Sequence, residues 1–229
     1  GKRFMSVVGG AAAEAMSTAV TRSGTVNDPN FVNVGGGTFT DVDYGDVSTA
    51  MLAPRIAGII AQRGEAQEIT FARLVGLTVK VGNTEADILA GLAGGVVALS
   101  RDSNAQAPVR IELGITSYTT TTDQSRPYGV YSNVKFMRVM QGLETELTDW
   151  AESNVIGKMQ VNAGTRDYVR GQMQARLARR EEDGIILPGW SVSTDTNPPP
   201  SDTDNFIALV YAITLGRGVQ QVLNTVVVG

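Results

Sequence analysis

The chain contains no histidine and no cysteine in 229 residues. Those two absences exclude the Ser-His-Asp triad, cysteine nucleophiles, zinc sites built on thiolate or imidazole, and disulfides. Catalysis would have to rest on Lys, Tyr, carboxylates or bound magnesium, so an enzyme is the weaker expectation. A chain without cysteine suits folding in a reducing cytoplasm but does not require it. Charge is also sparse: 18% of residues are Asp, Glu, Lys or Arg, and the net charge is −4. That balance gives no general attraction to nucleic acid or to an anionic membrane. The longest apolar stretches, such as "ILAGLAGGVVAL" (88–99), fall well short of the ~20 residues that a membrane helix needs. The opening residues do not read as a secretory signal. They are Gly1-Lys2-Arg3, which raises the expectation of a fragment or a trimmed chain.

A hydrophobic content of 42% is enough for a packed core, as one large domain or two small ones. "FMSVVGG" (4–10) reads as a short buried strand running into the alanine-rich helical pattern "AAAEAMSTAV" (11–20). Residues 35–48, three glycines followed by "TFTDVDYGDVS", read as loop or irregular strand. Ser48 is placed to cap a helix over 49–64, with Pro54 near its first turn. Ala53, Ala57, Gly58 and Ala61 would give that helix a small-residue face for close packing. "ITFARLVGLTV" (69–79) has strand composition. Asn83 or Thr84 would cap the next helix, with Glu85 and Asp87 in its first turn, where acids suit the helix dipole. "GVVALS" and "VRIELGITSYT" follow as strands.

Beyond residue 118 the pattern changes. Val134, Met137, Met140, Leu143, Leu147 and Trp150 recur at three- and four-residue steps and mark one helical face. A second helix is expected from about Thr165, with Val169, Met173 and Leu177 as its stripe and Gly184 as a left-handed cap. "IILPGWSVST" reads as a strand and "DTNPPPSDTDN" (195–205) as a loop. "FIALVYAITL" (206–215), apolar on both faces, reads as a strand buried on both sides. The fold class is therefore α/β (α+β), with β-sheet layers flanked by helices. The final run "VQQVLNTVVVG" (219–229) is β-branched and has no charge or proline to blunt it. An exposed apolar strand of this kind invites pairing with another chain.

Three local patterns invite chemistry. "VVGGAAAEA" places glycines between a strand and a helix, but Ala12 and Ala13 occupy positions where the dinucleotide fingerprint needs glycine; a tight turn is the stronger reading. Arg166, Arg170, Arg176, Arg179 and Arg180 form a basic helix segment followed at once by Glu181, Glu182 and Asp183. The near-neutral sum favours a solvated or subunit-facing charged face over nucleic-acid binding. Lys135 and Arg138 flank the apolar stripe of the preceding helix as interface charges or snorkelling stems. Asp41, Asp43 and Asp46 alternate like ligands of a hard cation, yet no glutamate stands where an EF-hand would need one. A solvated acidic loop is the default, and no metal or other cofactor is expected.

Several stretches, taken in order, resemble the contractile tail sheath proteins of bacteriophages and related injection particles. They are "STAMLAPRIAGIIAQRGEAQEITFARLVG" (48–76), "TEADILAGLAGGVVAL" (84–99), "VRIELGITSYTT" (109–120), "KFMRVMQGLETEL" (135–147) and "IGKMQVNAGTRDYVRGQM" (156–173). The resemblance implies a subtilisin-like sheath domain over 1–118, its label purely architectural here. It implies a C-terminal sheath domain over 119–229, carrying a strand arm at 217–229. It also implies that more chain, including an N-terminal arm, normally precedes residue 1. Sheath subunits exchange terminal arms that add strands to neighbours' sheets. Val219, Gln221, Val222, Leu223, Thr225, Val226 and Val227 are the arm residues so implied, hinged at Gly216 and Gly218. Lys135, Arg138, Arg166 and Arg170 are the candidates for subunit or tube contacts. The implied partners are further copies of the chain, the tail tube protein, and the baseplate and tail terminator proteins, with no direct nucleic-acid contact and no membrane insertion. The implied location is the virion tail, after assembly in the host bacterial cytoplasm. The alternatives are another self-assembling phage structural protein, such as a tube or capsid component, and a magnesium-dependent α/β enzyme using the aspartate triplet.

Overall fold

A computed structural model describes residues 4–101, 108–119, 128–193 and 210–216, the side chains of Tyr128 and Val210 excepted. The elements, in chain order, are β1 (Ser6–Gly9), α1 (Met16–Val26), β2 (Phe31–Gly35), β3 (Thr38–Asp41), β4 (Gly45–Val47), α2 (Thr49–Gln62), β5 (Arg73–Leu74) and β6 (Leu77–Val81). They continue with α3 (Glu85–Ala93), β7 (Val96–Ser100), β8 (Val109–Ile111), the single turn α4 (Tyr128–Tyr131), α5 (Val134–Asn154), α6 (Ala163–Glu182), β9 (Leu187–Ser193) and β10 (Val210–Thr214). The chain forms two compact units, Gly1–Arg138 and Val139–Gly229.

In the first unit a mixed sheet runs in the order β1-β2-β7-β8-β5. Its first three strands are parallel, and β8 then runs against both β7 and β5. Side chains alternate along the central strands, so each strand feeds two layers. Val96 and Ala98 face Met16 and Ala19 of α1. Val97 and Leu99, with Val32 and Val34 of β2, face Leu52, Ile56 and Ile60 of α2. The second layer is closed by a three-stranded sheet, β4-β3-β6, through Phe39, Val47 and Leu77. Residues 38–47 are thus a hairpin, one of the two forms that the sequence left open.

Three expectations shift. β1 is a half-buried edge strand and not a buried one. Helix α1 begins five residues later than the alanine run, at Met16. Gly10 lies bound to the start of α2: its N–H donates to Thr49 Oγ1 at 2.8 Å and its carbonyl accepts from the Ala50 N–H at 3.0 Å. That tie draws the chain across α2 before it can wind. The third shift concerns the small-residue face of α2. Ala53 is buried, but Gly58 and Ala61 are exposed and nothing lies within 4 Å of Gly58's missing Cβ. The close approach is made elsewhere, by Gly9, whose Cβ would stand 2.1 Å from the Thr49 carbonyl oxygen.

Strand β2 went unseen in the sequence because Asn33 interrupts its apolar run. Its amide is accommodated: Arg22 Nε donates to Asn33 Oδ1 at 2.8 Å, and Asn33 Nδ2 donates to the Ala19 carbonyl at 2.8 Å. The capping expectations fit well. Ser48 accepts from the Met51 N–H, and Thr84 and Asp87 form a reciprocal capping box, which ties down two orphan donors at once. Pro54 sits in the second turn of α2, on its solvent side.

Candidate functional site

Among the described residues, the second unit holds most of α5, all of α6 and a ribbon of two strands. Asn162 caps α6 by accepting from the Thr165 N–H at 2.9 Å. Val169, Met173 and Leu177 are buried as the periodicity predicts. The helix ends in a Schellman turn: Gly184, at φ 70°, donates to Glu181 and Ile185 donates to Arg180. A left-handed residue there favours glycine, and the turn aims the chain into β9.

β9 and β10 pair antiparallel, Tyr211 opposite Val192 and Ala212 opposite Ser191, with the register slipping between Ala212 and Thr214. Pro188 and Gly189 occupy the slipped stretch of β9, which fits proline's exclusion from regular ladders. Trp190, Val192, Tyr211 and Ile213 pack on the core formed by Val139, Leu143, Met173, Leu177 and Ile186. Ala212 and Thr214 on the opposite face are exposed. The expectation of a strand buried on both sides is therefore corrected for residues 211–214: only one face of the ribbon has helices against it. Among the described residues this sheet has two strands. The predicted arm residues Val219, Gln221, Val222, Leu223, Thr225, Val226 and Val227 lie outside the described residues.

The four cations expected at subunit or tube contacts fall in two places. Lys135 and Arg138 occupy the first turns of α5, both half-buried. Arg138 donates through Nη1 to the Gly64 carbonyl at 3.1 Å and through Nη2 to the Arg63 carbonyl at 2.5 Å. Its burial pulls the guanidinium pKa below its ordinary value, opposed by the charge of Glu65. Arg166 and Arg170 lie on α6, and Arg170 pairs with Asp167 at 2.7 Å. Two more arginines of the basic segment are used within the unit. Arg176 and Arg180 both reach Glu146 of α5, at 3.3 and 3.0 Å, and the Arg176 guanidinium lies 4.8 Å over the Trp150 ring. Trp190 Nε1 donates to Glu181 at 2.6 Å. Glu146 was not singled out in the sequence; its carboxylate pairs with two arginines of a run that would otherwise stand alone.

The other candidate patterns are occupied by the fold. Asp41 is 5% exposed. It accepts from the N–H groups of Asp43 and Tyr44 at 2.9 and 3.3 Å, and from Arg55 at 2.5 Å. Those contacts, the Asp43 N–H first and Arg55 after it, hold its carboxyl below the ordinary value of 3.8. Asp46 turns instead to Lys80 and Thr40, and Lys80 lowers its pKa in turn. The triplet is thus split between two cationic partners. Among the described residues no three His, Cys, Asp or Glu stand together as a metal site would require, and no helix is long and apolar enough to cross a membrane. In the Gly9-Gly10 turn, Gly9 is packed against the start of α2 and Gly10 against the Glu14 carboxylate, which accounts for both glycines by packing.

No protein-family model matches the chain, and no curated protein matches it in sequence. Solved structures do match in shape. An extracellular contractile injection system, the PVC sheath complex in its contracted state, superposes with a TM-score of 0.74 at 14% identity, over 99% of this chain and 64% of that one. A sheath tail protein from Listeria innocua gives 0.67 at 14% identity, over 94% and 50%. One from Desulfitobacterium hafniense gives 0.63 at 14%, over 83% and 46%. The chain therefore has the fold seen in contractile sheath proteins, and it spans about half to two thirds of the length of these neighbours.

Proposed function

We propose that this chain is a structural, non-enzymatic subunit of a contractile sheath. It polymerises helically around a tail tube, and contraction of the lattice drives that tube through a bacterial envelope. The carrying observation is the fold match to a sheath complex across 99% of the chain. The sequence supports it independently: with no histidine or cysteine, the commonest catalytic side chains are missing and an enzyme is the weaker reading. In a bacteriophage the outcome of contraction would be genome ejection from the virion tail, after assembly in the host cytoplasm. Baseplate and tail terminator proteins would meet the ends of the polymer and the tube protein its bore, with Lys135, Arg166 and Arg170 as contact candidates.

Assembly would proceed by strand addition. The ribbon β9–β10 offers two strands and one covered face, whereas stable sheets commonly need three or more strands. Residues 219–229 of a neighbouring copy would supply another. Their main-chain hydrogen bonds, each worth ~0.5–1.5 kcal/mol net, would give several kcal/mol per junction. Such a contact joins unlike surfaces, so it generates an open helix and not a closed dimer. The work of contraction would come from interfaces that pack in two discrete arrangements, so the sheath itself consumes no nucleotide. The domain division expected at 118/119 belongs to the same reading. Electron microscopy of the concentrated chain tests it: hollow helical tubes are expected, and a monodisperse monomer or a closed ring at high concentration would overturn it.

A further inference from the structure

We propose that Arg138 acts inside its own subunit, as a clamp that pins the first turns of α5 to the end of α2, and not as a contact to a partner. Helix α2 ends at Gln62, and the carbonyls at a helix C-terminus lack intrahelical donors and carry partial negative charge. Arg138, 74 and 75 residues farther along the chain, donates to the two carbonyls just past that end, those of Gly64 and Arg63. Two successive carbonyls suit the rigid fork of a guanidinium, which the single point charge of lysine does not match.

The loop so gripped is itself closed. The Gln67 N–H donates to the Gly64 carbonyl at 2.9 Å, the Gly64 N–H to Gln67 Oε1 at 3.3 Å, and the Arg63 guanidinium to the Glu68 carbonyl. Residues 63–68 therefore form a stiff clip and not a slack connection. Helix α5 has a second anchor one turn earlier. Val134 is fully buried in the first core, and its N–H donates to the Gly114 carbonyl at 3.1 Å. One anchor would leave the start of α5 free to pivot; two, a turn apart, hold its first turns against the first core.

Hydrogen exchange of the full chain in dilute solution, where no polymer forms, tests this separately from the sheath reading. In Arg138→Ala, amides of residues 60–68 and 134–141 should exchange at least about tenfold faster, while those of α1 and α3 keep their rates. Arg138→Lys should produce a smaller acceleration confined to the same two segments, and it serves as the deciding variant if Arg138→Ala loses protection everywhere. Wild-type exchange in both segments of Arg138→Lys and of a folded Arg138→Ala would overturn the proposal and return Arg138 to the surface contacts.

Discussion

The two units differ in how fully each satisfies itself. In the first, both faces of the central sheet are covered, α1 and α3 on one side and α2 with the small sheet on the other. In the second, among the described residues, Val139, Leu143, Met173, Leu177 and Ile186 form the core cluster and one face of the ribbon packs on it. The first unit thus has three layers in its described residues, and the second, Val139–Gly229, is the smaller of the two. In the sheath reading proposed above, the first unit would hold the subunit's shape and the ribbon of the second would accept a neighbour's strand.

The comparison can be broken most forcefully at Leu177, which is fully buried in the second core. Leu177→Ala should cost about 2–5 kcal/mol. Both tryptophans, Trp150 and Trp190, lie in the second unit, so their fluorescence reports it alone. In a denaturant titration the fluorescence transition should move to much lower denaturant, while far-UV circular dichroism keeps a later transition from the first unit. A single shared shift in both signals would show that the units do not unfold separately.

A smaller effect is expected at Gly9. A Cβ there meets backbone, the Thr49 carbonyl at 2.1 Å and the Ala50 nitrogen at 2.5 Å, so neither partner can swing aside. Gly9→Ala should destabilise the first unit by roughly 1–3 kcal/mol. The later dichroism transition should move and the tryptophan transition should not.

Acid sharpens the same contrast more gently. Asp41, Asp46 and Asp87 all belong to the first unit, and each has its pKa lowered: by the Asp43 N–H and Arg55, by Lys80, and by the Thr84 hydroxyl respectively. A carboxyl whose folded pKa lies below its unfolded one stabilises above the unfolded value, and that contribution is lost as pH falls through the folded one. Stability of the first unit should therefore decline as pH drops below about 3.8, the ordinary value. Asp41→Asn should be less stable near neutrality and show a shallower acid decline, measured by denaturation at stepped pH.

Much of this was legible in the residues. Caps at Ser48 and Thr84, the stripe Val169-Met173-Leu177 and the stop at Gly184 are local patterns, and local patterns survive folding. What was not legible depended on distant partners. β2 was masked by Asn33, whose amide is satisfied by Arg22 and Ala19. The delayed start of α1 depends on Thr49, far along the chain. The alternation of Ala212 and Thr214 with Tyr211 and Ile213 is plain in the letters. It was overridden by the apolar length of the stretch, which does not say how many faces a neighbour covers. Asp41 and Arg138 looked like surface chemistry because a sequence does not display the arginine or the carbonyls that each one meets.

The central claim is that the second unit's ribbon is completed by another copy. It is tested most directly by a high-resolution electron-microscopy map of the polymer formed by this chain. The account predicts residues 219–229 of one subunit lying as an added strand beside β9 or β10 of the next. A map in which that segment folds back on its own subunit, with no foreign strand on either side of the ribbon, would contradict it.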